Sequence, residues 1–453
     1  MKLIFLWTDS LLFLFFATII AFSIYSARFE HLRAPWRQFR HNKVAVLSAL
    51  VLLGYMVIAL VDSIHFQERS IDANGTLSVD SKGKPVYNPE VTSLLDHLLK
   101  PIREKEESTY SAPFSTHSYS KKNIELENGK TIRDFPRLKY GGAHLQKPER
   151  RTFDASLRGA AGGFPALFLT GLLLFFLSKT HFSLSPKILV FVLLFSFLFG
   201  AILSLSAYYH VFGTDKVGQD VLYRALKGIR TGILIGTLTT LVMLPLAILF
   251  GIMAGYFRGW IDDTIQYVYT TLSSIPGILL ISAAILLLQV YMDTHPDQFE
   301  SLAVRADLRL FFLCIILGVS SWTGLCRILR GETLKLSSMD YILASKALGT
   351  KSFKTLFTHI VPNILHIVLI TVVLDFSGLV LAEAVLSYVG VGVDPTMESW
   401  GNMINAARLE LAREPIVWWN LAAAFTLMFG LVLSANLFAD GVRDAFDPRL
   451  RTR

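Results

Sequence analysis

The sequence predicts an all-α, polytopic membrane protein, and three observations carry that expectation. Hydrophobic residues fill 53% of its 453 positions and charged residues only 17%, too apolar a balance for an ordinary soluble domain. The apolar residues gather in runs near the ~20 needed to cross a hydrocarbon core about 30 Å thick. Lysine and arginine then collect in alternate short connections, as they do on the cytoplasmic side of membrane proteins.

Met1–Tyr25 is the first run. It reads as an anchor. The alternative is a signal peptide starting at Lys2, but no small-residue cleavage site follows. Asp9, near its outer end, is expected to reach the interface. "ARFEHLRAPWRQFRHNK" (Ala27–Lys43) sets Arg28, Arg33, Arg37, Arg40 and Lys43 against Glu30 alone, so it belongs inside. Val44–Ile64 then runs outward, and Phe66–Arg158 becomes a long outer insert. "ANGTL", "SKGKP" and "ENGKTIRDFPRLKYGG" punctuate it with turns, while "VTSLLDHLLKPI" (Val91–Ile102) has helical spacing and stops at Pro101.

Phe164–Leu177 and Ile188–Leu205 form a hairpin across "SKTHFSLSPK", whose Lys179 and Lys187 place it inside. Ile233–Met253, Leu279–Tyr291, Leu310–Leu325, Ile364–Leu386 and Ile416–Leu437 complete nine spans. Leu279–Tyr291 reaches full length only if extended back through Pro276 to Tyr267. The loops after Phe257 and Cys326 and the tail after Asp440 fall inside. The tail carries Arg443, Arg449, Arg451 and Arg453. Asp293–Asp307 and Asp394–Glu414, acidic or balanced, fall outside, so the N-terminus is expected outside and the C-terminus inside. The net charge of +8 therefore reports topology and not a nucleic-acid partner. Cys314 and Cys326 are expected as small buried apolar side chains.

One connection is longer than a connection needs to be. "ASKALGTKSFKTLFTHIVPNIL" (Ala344–Leu365) lies between two spans, and Arg330–Leu348 and Lys351–Ile360 both read as helices. Gly349 permits a sharp reversal between them. Pro362 suits the first turn of the next span. Phe353, Leu356, Phe357 and Ile360 share a face, with Lys351 and Lys354 beside it. Such a face suits a groove on another polypeptide, or the inner leaflet as an interfacial helix. "GTKS" (Gly349–Ser352) lacks the glycine and Gly-Lys order of a phosphate-cradling loop.

"DYILASKALG" followed by "THIVPN" resembles the cytoplasmic signature loop of ABC-transporter permease subunits in the dipeptide, oligopeptide and nickel importer branch, second-permease type. Ala344, Ala347, Leu348, Gly349, His359, Pro362 and Asn363 match by position. Leu343 stands where an acidic residue often opens the motif, and Ser345 replaces an alanine. "WRQFRHNKVAVLSALVLL" is similar to the start of these permeases and "FGTDKVGQDVLYRALKGIRTGI" to their segment before the second family span. "LAEAVLSYVGVGVDPTMESWGNMI" and "DGVRDAFDPR" resemble their fifth span with its outer loop and their C-terminus. The matches cover most of Trp36–Ser63 and nearly all of Tyr209–Arg449. "GYFRGWIDDTIQYVYTTLSSIPGILL" matches at Asp262 and Pro276, but Tyr267 and Thr270 replace the usual arginine and aspartate.

The resemblance implies a type I ABC importer permease fold with additional N-terminal transmembrane helices. Residues 1–26 are then an extra anchor, 27–64 the basic segment and first family span, and 65–160 an extracytoplasmic insert. Residues 161–207 are an extra hairpin, and 208–453 the permease core with an amphipathic outer helix, five spans and the coupling loop. It implies an ATP-driven importer of peptides, or alternatively of nickel or a peptide-like compound, in a bacterial inner membrane. The implied partners are a second permease subunit, two ABC ATPase subunits and an extracytoplasmic substrate-binding protein. ATP and magnesium would be held by the ATPases, and this chain is expected to be no enzyme and to bind no metal or cofactor.

Coupling would run through Ala344, Ser345, Ala347, Leu348, Gly349, Lys351, Phe353, Lys354, Phe357, His359 and Pro362. The outer helix would carry Asp215, Gly218, Asp220, Arg224 and Arg230, with Asp215 capping its start and an apolar stripe of Val217, Val221, Leu222, Leu226 and Ile229. Asp375 and Glu383, eight positions apart in one span, are either lining of a path that receives a cationic peptide terminus or buried pairs with a neighbouring helix. Trp418 and Trp419 read as interface anchors, or as a surface for stacking carbohydrate. An ion-coupled secondary transporter would use Asp375 and Glu383 as ion sites, but no pair of similar halves is visible. A membrane-anchored receptor built on the insert would not need the motif-rich spans.

Overall fold

The computed structural model describes residues 2–26, 30–70, 86–125, 131–178, 185–296 and 301–446. Arg28, "ANGTL", "SKGKP", Lys179 and the tail arginines Arg449, Arg451 and Arg453 lie outside the described residues. The chain opens with β1 (Lys2–Ile4), α1 (Trp7–Ser26), α2 (Glu30–His41), α3 (Lys43–Asp62), β2 (His65–Arg69) and β3 (Tyr87–Ser93). The insert continues with α4 (Leu94–Leu98), α5 (Lys100–Arg103), β4 (Lys122–Glu125), β5 (Thr131–Asp134) and a 3-10 turn at Pro148–Arg150. Next come α6 (Arg151–Ser178), α7 (Pro186–Ser206), α8 (Val221–Phe257), α9 (Gly259–Ser274), α10 (Gly277–Thr294) and α11 (Leu302–Ser337). α12 (Asp340–Ala347), α13 (Ser352–Thr355), a π-turn (Leu356–Ile360), α14 (Val361–Tyr388), α15 (Trp400–Glu410) and α16 (Trp419–Phe446) close the chain.

Among the described residues, seven helical stretches are long and apolar enough to cross a membrane: Lys43–Asp62, Pro148–Phe176, Pro186–Ser206, Val221–Phe257, Gly277–Thr294, Ser352–Tyr388 and Trp419–Phe446. The remaining two expected spans fall on the shorter apolar stretch Trp7–Ala21 and inside α11, at Leu310–Leu325. The helical membrane architecture is as expected. Short strands occur outside the spans, in a sheet of order β1-β2-β3 and in the hairpin β4-β5.

The chain forms two compact units. The first comprises Met1–Val91, Arg230–Met397 and Gly430–Arg453. Two of its helices start where side chains replace missing backbone partners: Asn42 accepts from the amides of Val44 and Ala45 at α3, and Ser301 from Val304 at α11. α8 lies close against α11 because small residues face backbone. A methyl on Gly251 would meet the Cys326 carbonyl, and one on Gly318 the Thr239 carbonyl. Met243, Ala247, Trp322, Cys326, Ile342, Leu356 and Ile360 form one buried cluster there. Cys314 and Cys326 are buried and unpaired. β1 pairs antiparallel with β2, Lys2 opposite Gln67 and Ile4 opposite His65. The start of α1 and the end of α3 therefore lie on one side of the membrane.

The second unit comprises Thr92–Ile229 and Glu398–Phe429. α4 begins with a capping box, Ser93 Oγ accepting from the Asp96 amide while Asp96 accepts from the Ser93 amide. α6 and α7 approach so closely at Gly162 and Gly200 that a methyl on either would strike the other's carbonyl. Thr170 and Ser196 share a hydrogen bond across the pair at 2.6 Å.

Candidate functional site

The loop between α11 and α14 departs from the two expected helices. Arg330–Leu348 is not one helix: α11 stops at Ser337 and α12 starts at Asp340. Lys351–Ile360 is not a separate helix either, because α13 and the π-turn run straight into α14. Pro362 has no N–H for the preceding turn, and the wider π-turn just ahead of it lets the helix continue past the ring.

α12 ends in a Schellman motif. The Gly349 amide donates to the Lys346 carbonyl at 3.0 Å and the Thr350 amide to the Ser345 carbonyl at 3.1 Å. Gly349 holds φ +74°, the left-handed conformation this reversal calls for. The inner side of the loop is rooted. Ile342, Thr355, Leu356 and Ile360 are buried, Ser345 lies 3.3 Å from Thr355 through their hydroxyls, and Lys346 sits 4.3 Å over the Tyr256 ring. Arg330 grips Asp262 with two hydrogen bonds of 2.6 and 2.7 Å. The Arg330 guanidinium thereby holds the Asp262 carboxyl below its usual range. This pair ties α9 to α11, whereas Tyr267 and Thr270 in α9 carry no charge.

The outer side of the loop is bare. Leu348 is 85% exposed, Phe353 72% and Phe357 60%, with the two rings 5.1 Å apart. Lys351 and Lys354 flank them, and Ala344 and Ala347 are exposed nearby. Pro362 is exposed too, and half-buried His359 lies edge-on to Tyr341. Asn363 donates to the His359 carbonyl at 2.6 Å. The result is a packed stem bearing an apolar tip with basic edges.

In α14, Glu383 is buried and accepts from Ser387 Oγ at 2.7 Å, a partner on its own helix. Asp375 is half-buried, and no hydrogen bond or ion pair reaches its side chain among the described residues.

The outer helix expected from Asp215 onward is a loop followed by α8. Asp215 caps a turn, accepting from the amides of Val217 and Gln219, while Asp220 holds the start of α8 through the Leu222 and Tyr223 amides. Val217 is exposed, so it leaves the expected stripe, whereas Val221, Leu222 and Ile229 are buried. Arg224 bridges Asp215 at 2.6 Å and Glu398 at 2.8 Å. Gly218, at φ +84°, lies so near Glu107 that a methyl there would sit 1.8 Å from its carbonyl oxygen. Trp419 is fully buried and donates to the Thr214 carbonyl, so of the tryptophan pair only Trp418 remains exposed as an anchor.

Several residues of this second unit carry no local signal in the sequence. Glu107 accepts from the backbone amides of Lys139, Tyr140 and Gly141. His210 lies between Asp220 at 2.7 Å and Glu107 at 3.5 Å. Burial opposes charge on both, but the hydrogen bonds outweigh it, lowering Glu107 to about 2 and raising His210 to about 9. Asp96 likewise falls to about 2: burial pushes it up, and Lys227 at 2.9 Å and the Tyr223 hydroxyl pull it further down. The insert is thus bonded into the segments on either side of it in this unit.

Arg230 belongs to the other unit and is buried. It donates to Asp9 Oδ1 at 2.5 and 3.0 Å and to Ser63 at 3.3 Å, and His65 Nδ1 lies 2.8 Å from Asp9 Oδ2. Asp9 therefore does not reach the interface; it is buried in a polar knot at the start of α1. Asp307 completes the knot by accepting from the Trp7 amide at 2.9 Å and from the Thr8 hydroxyl.

Residues 247–452 match the family model described as a binding-protein-dependent transport system inner membrane component. The chain is similar to the oligopeptide transport system permease protein OppC of Bacillus subtilis, 32% identical over 242 residues, 53% of this chain and 72% of the relative. It is similar to the dipeptide transport system permease protein DppC of the same organism, 29% identical over 53% of this chain and 69% of the relative. The glutathione transport system permease protein GsiD of Pectobacterium atrosepticum is 29% identical over 54% of this chain and 74% of its own length.

Proposed function

Because the chain belongs to the family of binding-protein-dependent transport system inner membrane components, the permeases of ABC importers, we propose that it moves peptides inward as one half of a pore. The named relatives transport oligopeptides, dipeptides and glutathione, which supports a peptide substrate. In this reading a second permease subunit completes the pore and an extracytoplasmic binding protein delivers the substrate. Two ATPase subunits hold ATP and magnesium and do the hydrolysis. The N-terminus and the insert lie outside, and the loop between α11 and α14 lies inside.

The observation that carries the reading is the contrast between the two sides of that loop. An apolar tip of Leu348, Phe353 and Phe357 on a buried stem has the form of a helix-in-groove ligand. Leu343 offers no charge at the position where relatives often carry an acid, so apolar packing and the lysines hold the contact. Closure of the ATPases on ATP pulls the tip. Because α13, the π-turn and α14 form one helical stretch, the pull passes directly into a span. Asp375 and Glu383 are the acidic groups this span offers to a path for a cationic peptide terminus.

Vesicles reconstituted with the chain, a second permease, the ATPases and a binding protein test this. Peptide uptake should require ATP and all four components. Uptake driven by a proton gradient in the absence of the ATPases would overturn it.

A further inference from the structure

We propose that the outer end of α6 is a binding site for the phosphodiester headgroup of an anionic phospholipid. A cavity of about 490 Å³ opens there, lined by His144, Lys147, Arg150, Phe153, Asp154 and Arg158. Its one carboxylate is already satisfied. Asp154 Oδ2 takes His144 Nε2 at 2.7 Å, Arg158 Nε at 2.8 Å and the Tyr209 hydroxyl at 2.7 Å. Arg158 is also fixed from its other face, 3.6 Å over the Tyr208 ring. Lys147 and Arg150, with Arg151 next in the chain, have no acidic partner within ion-pair distance among the described residues. The cavity therefore presents uncompensated positive charge.

What lies beside that charge selects the ligand. Phe153 and Leu157 are 69% and 59% exposed, and Phe164 and Phe168 continue the exposed apolar face down α6. A soluble anion would use the cations alone; a phospholipid uses both, with its phosphate in the cavity and its chains along the helix. The cations also stand on the outer side in the orientation proposed above, where short loops are usually poor in lysine and arginine. They follow a long insert, whose charge does not set topology. The side of the membrane rests on that reading of orientation, but the binding itself does not.

The full chain in detergent, offered phosphatidylglycerol or phosphatidylcholine and examined by native mass spectrometry, tests the site without partner subunits or transport. Phosphatidylglycerol should be retained in preference. The double variant Lys147→Gln, Arg150→Gln, both exposed and outside the packed core, should lower its retention roughly tenfold to thirtyfold. Arg443→Gln, in the last turn of α16, should leave retention unchanged. Equal retention of the two lipids, no change in the double variant, or an equal loss with Arg443→Gln would each overturn the site. Displacement of phosphatidylglycerol by millimolar inorganic phosphate would show a free-anion site and overturn the lipid assignment; persistence supports it. Failure of transport in reconstituted vesicles leaves these readouts untouched.

Discussion

Gly349 gives the sharpest test of the loop. It closes α12 at φ +74°, and its amide holds the Lys346 carbonyl. A methyl at this position would meet nothing within 4 Å, so a substitution acts through the backbone and not through a clash. For alanine, the left-handed conformation costs about 1–2 kcal/mol. Asparagine tolerates it at lower cost. Proline cannot adopt it and has no N–H, so the reversal and the Lys346 bond are both lost, at about 3 kcal/mol or more. The tip that follows, Phe353 and Phe357, would then leave its present position relative to the stem. Membrane insertion should be unaffected, because Gly349 is exposed and outside the spans. In vesicles with the partner subunits, ATP-driven uptake should fall in the order glycine, asparagine, alanine, proline. Alanine should lose about fivefold to thirtyfold and proline should approach background. Wild-type uptake by Gly349→Pro, at a normal amount in the membrane, would refute the idea that this reversal sets the docking surface.

Three further outcomes follow from the geometry. Phe353→Ala combined with Phe357→Ala should weaken capture of the ATPase subunits at least tenfold in a binding titration, since exposed aromatics at the centre of a docked face carry most of its energy; unchanged affinity would contradict that. Asp9→Asn leaves Arg230 buried without its closest carboxylate and should cost about 3–5 kcal/mol, read as a lower thermal midpoint in detergent and less protein in the membrane. His210 is raised from 6.5 to about 9 in the folded chain, so its contribution is complete below pH 6.5 and disappears as pH climbs through 9. That loss amounts to about 3 kcal/mol. Thermal midpoints between pH 6 and 10 should decline over that window, and His210→Gln should flatten the decline; a level wild-type curve would exclude it. Glu107 and Asp96 act at the other extreme, stabilising above their usual range and losing that effect only as pH falls toward about 2.

The spans were legible because apolar runs of membrane length have few other uses, and Gly349 because a left-handed helix terminus favours one residue type. The break between α11 and α12 was not. No glycine or proline marks "LKLSSMDYIL", and Met339 at the start of α12 makes no side-chain cap. Pro362 pointed to a helix start, yet a π-turn absorbs its missing donor and the helix runs on. Residues 215–229 have a stripe that fits a surface helix, but Gly213 and Gly218, with positive φ, bend the chain into a loop against Ser111 and Glu107. The burial of Asp9 and the roles of Glu107 and His210 are not legible in the sequence, for a common reason. Their partners lie far away in sequence, and no periodicity records a bond between distant segments.

The knot around Asp9 also orders events during synthesis. Its cation, Arg230, is 221 residues further on, which at ribosomal speeds is roughly 10 to 45 seconds. His65, 56 residues on, emerges well before it. From the emergence of His65 until that of Arg230, the young first helix has histidine as its nearer companion and a carboxylate still waiting for its arginine. Whatever escorts nascent chains into the bilayer must shelter that carboxylate until the arginine arrives, and a ribosome stalled between the two codons would leave it stranded.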